Sequence, residues 1–332
     1  MTYSEHVLPA LAAILIWWLS TGVILLMNSL PRSTYPWSVL GMTCVTGVAV
    51  FGLAVTGEDT GTRGAYIAFL CSLMIWGWHE MTFLMGYITG SRKEPCPADA
   101  KGFTRFVYAT KVLLHHEVAL VFTGLGIAAV TWGDPNQTGL WTFVVLWAMR
   151  LSTKLNIFFG VPNITEEFLP HHMAFLKSYF RNRPMNAFFG PSVTLATIAT
   201  VLVGTAALDP GLTAGEQVGL SLITCLMALG VLEHWFLVVP MREAALWTWA
   251  QPAAQTAGTG HSQAHERDAG SREGKRDAHH RREGGRCPLH YLGAALSPVP
   301  ELVPAAVPVR GRHATSRVTE PRESGVSFTK TQ

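Results

Sequence analysis

Histidines and glutamates stand next to one another inside three long apolar stretches of the sequence, and two cations interrupt a fourth. A charged side chain at the centre of a bilayer costs about 2.5–3.5 kcal/mol on insertion scales, so such residues usually face the protein interior. There they pair with one another or serve a ligand. We call this set the ionisable belt: His79, Glu80, Lys111, His115, His116, Glu117, Arg150, Lys154, Glu233 and His234.

The first chemistry that the ionisable belt could serve is ion pairing between helices. Arg150 and Lys154 are four residues apart, so they lie on one face of a helix. Glu80 and Glu117 are the acids that could pair with them. Buried charges are paired by default. In this interpretation the ion pairs hold the helices in register, and no catalysis is required.

The second chemistry is a transition-metal site, for example for iron. Carboxylates and imidazoles from several helices are the ligands of di-iron bundle proteins. Neighbouring helix residues point about 100° apart, so each His-Glu pair offers one good ligand, and no Glu-x-x-His occurs in the apolar stretches. Such a membrane metalloenzyme would act on a tetrapyrrole or isoprenoid intermediate. Its ligands would come from His79, Glu80, His116, Glu117, Glu167, His171, Glu233 and His234.

The third chemistry is a pigment or quinone site, in which a neutral imidazole ligates the magnesium of a bacteriochlorophyll. Trp76, Trp78, Trp147 and Trp235 could pack on the macrocycle. Phosphate loops, nucleophile elbows and dinucleotide fingerprints are absent from the sequence, so no catalytic residue is identified, and we expect no nucleic-acid partner. A transporter would show helices broken by Gly or Pro at matching places in two halves, and the sequence has no such pair.

Composition predicts the elements that hold the ionisable belt. Of the 332 residues, 49% are hydrophobic and 14% are charged, whereas a soluble protein has about 25% charged residues. A membrane-spanning helix needs about 20 apolar residues. We therefore predict an all-α polytopic membrane protein with seven transmembrane helices within residues 1–250. The predicted spans are 8–30, 37–56, 65–88, 106–131, 138–160, 186–208 and 217–240.

The loop charges predict how these helices lie in the bilayer. Lys and Arg concentrate in alternate connections, and Arg63 is the exception on the other side. Because positive loops stay in the cytoplasm, the N-terminus is predicted to be periplasmic and the C-terminus cytoplasmic. We expect the first apolar stretch to be retained, since it lacks the charged start and cleavage site of a signal peptide.

Two regions do not fit a membrane span. The 160–185 segment is too polar to cross, and Leu176 and Tyr179 indicate a short amphipathic helix on the inner membrane face. The tail, residues 251–332, is basic and rich in Arg, His, Gly and Pro, so we expect it to be disordered. The polar residues singled out in the 160–185 segment are Asn163, Glu166, Glu167, His171 and His172.

Several motifs, in order along the chain, resemble the photosynthetic complex assembly protein 2 family of purple phototrophic bacteria. The resemblance covers about residues 5–250 and leaves out the tail. The motifs are Trp76–Glu80, Lys111–Glu117, Pro162–Pro170, Leu176–Phe180, Arg183–Asn186 and Glu233–Phe236.

The resemblance implies a protein of the bacterial inner (intracytoplasmic) membrane that serves assembly of the photosynthetic reaction centre and light-harvesting complex, or its bacteriochlorophyll supply. Its partners would be the lipid bilayer, subunits of those complexes and pigment-synthesis enzymes. The family brings no catalytic residues, so we expect a non-enzymatic factor whose 160–185 segment faces the partner. The membrane metalloenzyme is the alternative.

Overall fold

Seven long α-helices make up most of the computed structural model, which describes residues 3–164, 169–240 and 243–250 of the chain. Within those residues no β-strand forms, and an isolated bridge joins Val161 and Asn182. The tail predicted to be disordered, 251–332, lies outside the described residues. The helices are α1 (Leu8–Ser29), α2 (Tyr35–Thr56), α3 (Thr62–Leu84), α4 (Gly102–Val130), α5 (Thr138–Phe159), α6 (Phe189–Ala206) and α7 (Ala214–Phe236).

Each apolar stretch that the sequence predicted as a span forms one of these helices. Six of them, α1 to α4, α6 and α7, are long and apolar enough to cross a membrane. α5 has 22 residues but carries Arg150 and Lys154, and it is not among the six. The all-helical fold is therefore confirmed and fits a multi-pass membrane protein, whereas a seventh crossing stays a prediction.

Local sequence sets the starts of several helices. Pro9 and Pro36 lie in the first turns of α1 and α2, where the missing proline N–H would have had no helical partner. α7 begins with a capping box, in which Thr213 accepts from the backbone N–H of Glu216 and the Glu216 carboxylate accepts from Thr213. This cap places the helix start three residues before the predicted position, 217.

The chain that follows α3 turns back against α4. α3 ends at Leu84 instead of the predicted 88, because Gly86 adopts a φ of +84° and the N–H of Ile88 donates to the Thr82 carbonyl at 3.2 Å. The chain then passes so close to α4 that a Cβ at Gly90 would overlap the α4 backbone. The end predicted for α3, residue 88, is therefore four residues beyond the observed end at Leu84, because the apolar sequence continues past the turn.

α3 and α7 form the inside of the bundle. Phe69 and Leu73 of α3 pack against Val218 and Leu222 of α7 in one buried cluster, and Phe143 of α5 is the centre of a second. α1, α2 and α6 have few buried residues and expose large apolar side chains. That distribution suits helices that face lipid around a protein core.

Candidate functional site

α5 carries two cations that pair with acids from two other helices. The Lys154 ammonium lies 2.7 Å from the Glu117 carboxylate of α4, whose second oxygen accepts from Trp147 Nε1 at 3.2 Å. Arg150 Nη2 lies 3.3 Å from Glu80 Oε2 of α3. These are pairs named by the ion-pair interpretation of the sequence, and they tie α3, α4 and α5 together.

The third carboxylate of the ionisable belt, Glu233 on α7, has a different neighbour. Its Oε1 accepts from Trp17 Nε1 of α1 at 3.0 Å, and no ion pair to it forms within the described part of the chain. Glu233 also lies within electrostatic range of Arg150 and Glu80. Three of the predicted acids thus lie in the same interior region.

The imidazoles of the ionisable belt are buried among the helices. His234 Nδ1 donates to the Gly230 carbonyl at 2.7 Å and Nε2 accepts from Ser152 Oγ at 2.8 Å. His79 Nε2 shares a hydrogen bond of 2.8 Å with Thr123 Oγ1. Neither ring nitrogen of His116 has a hydrogen-bond partner among the described residues, although the side chain is fully buried. The hydrogen bonds of His234 and His79 therefore connect α7 to α5 and α3 to α4.

Lys111 and His115 do not belong to the buried group, so this part of the sequence prediction was wrong. Both side chains are exposed, whereas His116 and Glu117 are turned inward. Residues four apart share a helix face and adjacent residues do not. Lys111 and His115 therefore lie together on the outer face of α4 once His116 is inside.

A central cavity of about 430 Å³ lies beside the ion pairs. α1, α3, α4, α5, α7 and the 160–185 segment all contribute to a mostly apolar wall, and no histidine is among its lining residues. The Arg150 side chain is 41% exposed and lies on this wall, so much of its accessible surface faces the cavity. The charged lining residues are Glu80, Arg150, Lys154 and Glu233.

The residues that the structure describes do not fit the metal interpretation, and the cavity wall does not fit the pigment interpretation. No group of three or more His, Cys, Asp or Glu side chains is placed to hold a metal ion within those residues. Glu80 and Glu117 are engaged by cations, and His171 is exposed. Glu166 and Glu167 lie outside the described residues. An axial ligand to a pigment in the cavity would need an imidazole on its wall, and none lies there.

The 160–185 segment packs on the helix ends through its apolar side. Its 3₁₀ helix, His171–Tyr179, buries Met173, Leu176 and Tyr179 against Phe83 of α3 and Val112 of α4. Leu176 and Tyr179 were predicted to lie on the inner membrane face, and the structure corrects this because protein covers them. Amphipathic periodicity is the same for a membrane surface and a protein surface.

Two polar side chains hold this segment in place, and the sequence analysis identified neither of them in this role. Arg105 of α4 is 6% exposed and donates to the carbonyls of Phe158, Tyr179 and Phe180. Asn186 donates to the Gly160 carbonyl at 2.9 Å. Arg105 lies in the first turn of α4, and an arginine at the start of an apolar helix is a signal that could have identified it.

Asn163 and His172 connect the same segment to α7 and α3. Asn163 Nδ2 donates to the Phe236 carbonyl at 3.2 Å, and His172 Nε2 donates to the Leu84 carbonyl at 2.9 Å. Burial, followed by the positive charge of Arg32, lowers the pKa of His172 below its usual 6.5. His172 is therefore neutral at pH 7 and caps the end of α3.

Acidification is expected to destabilise the fold at His172, because the protonated ring still donates to Leu84 but is disfavoured by burial and by the positive charge of Arg32. Because the pKa of His172 is lower in the folded chain, the unfolded chain binds a proton first as the pH falls below about 6.5, and the free energy of unfolding decreases. His172→Gln keeps a donor for Leu84 without titrating. We expect its melting temperature to fall less than that of the wild type between pH 8 and pH 5. His171→Gln, a change at the exposed neighbour, is the control, and equal pH dependence in all three proteins would contradict the prediction.

Comparison with known proteins shows that the chain matches a described protein family. Residues 3–258 match the model of a family described as "Protein of unknown function (DUF3623)". A relative from Rhodobacter capsulatus, "Uncharacterized 30.4 kDa protein in puhA 5'region", is 39% identical over 252 residues, which cover 75% of this chain and 92% of the relative. No solved structure matches the chain.

Proposed function

The chain belongs to the DUF3623 family, and from this premise we propose that it is an inner-membrane factor for assembly of the photosynthetic reaction centre and light-harvesting complex, or for its bacteriochlorophyll supply. The observation that carries the proposal is the relative from Rhodobacter capsulatus, whose name places it beside puhA, a gene of the photosynthesis gene cluster. The similarity extends over 92% of that relative. The motif resemblance to a photosynthetic complex assembly family agrees with it.

The proposal includes a seventh membrane crossing by α5. α5 contributes to the same buried cluster as α2, α3 and α4, and its two cations are neutralised by Glu80 and Glu117. Pairing removes much of the cost of placing these charges at membrane depth. Seven crossings put the two termini on opposite sides of the membrane, and the loop charges then orient the N-terminus to the periplasm and the C-terminus to the cytoplasm.

The proposed partner-facing surface is the exposed side of the 160–185 segment. Asn182, Arg183 and Met185 are exposed there, while Leu176 and Tyr179 anchor the segment in the bundle. A polar and basic surface held rigidly beside the membrane suits contact with a subunit of the reaction centre or light-harvesting complex, or with a pigment-synthesis enzyme.

Deletion and complementation in a purple bacterium test this function. We expect deletion of the gene to lower the near-infrared absorbance of assembled complexes in purified membranes, and the wild-type gene to restore it. Arg183→Glu reverses the charge of the proposed surface and should fail to restore the absorbance at normal protein level. Arg63→Glu, the same change at an exposed arginine in the first turn of α3, should restore it. Unchanged absorbance after deletion would refute the proposal.

A further inference from the structure

The cavity wall has acceptor oxygens without donors. Glu80 is 9% exposed and lines the cavity, and its Oε1 has no hydrogen-bond partner within the described residues. Glu233 also lines the cavity and uses Oε1 toward Trp17 Nε1. Unsatisfied buried polar groups are costly, so the free oxygen of Glu80 indicates a ligand that supplies a donor.

The ion pairs around this wall leave one of its carboxylates without a cation. Glu80 is paired with Arg150, and Lys154 is paired with Glu117, so Glu233 has no cation within ion-pair distance among the described residues. A head group whose charge is solely negative would leave Glu233 without a cation, and burying an unpaired charge is strongly unfavourable. An ammonium would complete the pairing at Glu233, and the guanidinium of Arg150 on the same wall, whose Nε has no hydrogen-bond partner within the described residues, can pair with a phosphate that accompanies the ammonium.

Aromatic rings beside Glu233 suit the same kind of ligand. Trp17 and Trp247 both line the cavity, and their ring centroids lie 5.4 Å apart at an interplanar angle of 69°. Tryptophan rings attract ammonium groups that approach their faces. A carboxylate and two indoles together therefore provide charge and aromatic contacts for one cation.

The depth of these groups suits a molecule that enters from the lipid. Glu80 is four residues before the end of α3, and Glu233 is three residues before the end of α7. At about 1.5 Å per residue they lie roughly 4.5–6 Å from the helix ends, so a polar head group bound by them would lie near one end of the bundle. The apolar remainder of the wall can take a hydrocarbon body.

We propose that this cavity binds an amphipathic molecule with a primary ammonium head group. The three N–H donors of the ammonium bind the free oxygens of Glu80 and Glu233, Trp17 and Trp247 pack beside it, and the hydrocarbon chain fills the apolar part of the cavity. Phosphatidylethanolamine and a single-chain alkylamine such as sphingosine share this chemistry. The site goes beyond the proposed assembly function and does not depend on it.

Native mass spectrometry of the full chain, purified in mild detergent, tests the site. We expect phosphatidylethanolamine or sphingosine to bind at one molecule per chain, at least about tenfold more tightly than phosphatidylcholine, whose quaternary ammonium has no N–H donor. Which of the two molecules binds shows whether the ammonium belongs to a phospholipid or to a single-chain amine. Equal binding of phosphatidylcholine, or no binding in either arm, would overturn the proposal.

Two variants locate the binding. Glu233→Gln removes the charge, keeps an acceptor for Trp17 and should weaken ammonium binding about tenfold or more. Glu58→Gln removes the same charge from an exposed position between α2 and α3 and should leave binding unchanged. The comparison of head groups uses the wild-type protein, so it does not depend on whether a variant folds. Equal affinity of Glu233→Gln and wild type would place the ligand elsewhere and overturn the proposal.

Discussion

Replacing Lys154 by Met is expected to destabilise the bundle by about 3–5 kcal/mol, because it leaves the Glu117 carboxylate inside the protein without its cation. The pair is 2.7 Å long, and its side chains are 18% and 23% exposed, so solvent screens it little. The remaining contact of Glu117 would be the indole N–H of Trp147. Thermal melting of the protein in detergent should show a decrease of roughly 10 °C.

Two further proteins make this test specific. Lys111→Met removes the same side chain from the exposed face of α4 and should change stability by less than about 0.5 kcal/mol. Lys154→Met combined with Glu117→Gln removes both charges and should recover much of the lost stability. If Lys154→Met melts like the wild type, or if the double variant is no more stable than the single one, the pair is not a stabilising interaction.

The helices could be predicted from the sequence because length and apolar composition decide where a membrane helix forms. α5 was predicted even though Arg150 and Lys154 interrupt it, since apolar residues surround both. The helix ends were less accurate. The turn at Gly86 and the capping box at Thr213 depend on local hydrogen bonds that hydropathy does not describe.

The candidate site could be predicted only in part. Helical geometry places Arg150 and Lys154 on one face, but it does not determine which of two adjacent histidines faces inward. His115 and His116 have similar neighbours in sequence, and packing against Phe83 and Thr89 decides between them. The bond from Trp17 to Glu233 joins residues 216 positions apart, so it depends on how α1 packs against α7.

The second large effect is expected at Arg105, where substitution by Met should cost about 3 kcal/mol. Its guanidinium lies 4.7 Å from the centre of the Phe158 ring and donates to carbonyls at the end of α5 and in the 160–185 segment. Each carbonyl left without a donor costs about 1–3 kcal/mol. The loss should also release the 160–185 segment, so trypsin should cleave after Lys177 or Arg181 faster than in the wild type.

Arg105→Lys separates the charge of this residue from its geometry. A lysine keeps the charge but has no planar fork of donors to reach several carbonyls at once, so its stability and its cleavage rate should lie between those of the wild type and Arg105→Met. Lys101→Met, at an exposed position four residues earlier, should behave as wild type. Mass spectrometry of the fragments locates each cut. Equal cleavage within 160–185 in all four proteins would show that the segment is held by its apolar side chains, Met173, Leu176 and Tyr179, and not by Arg105.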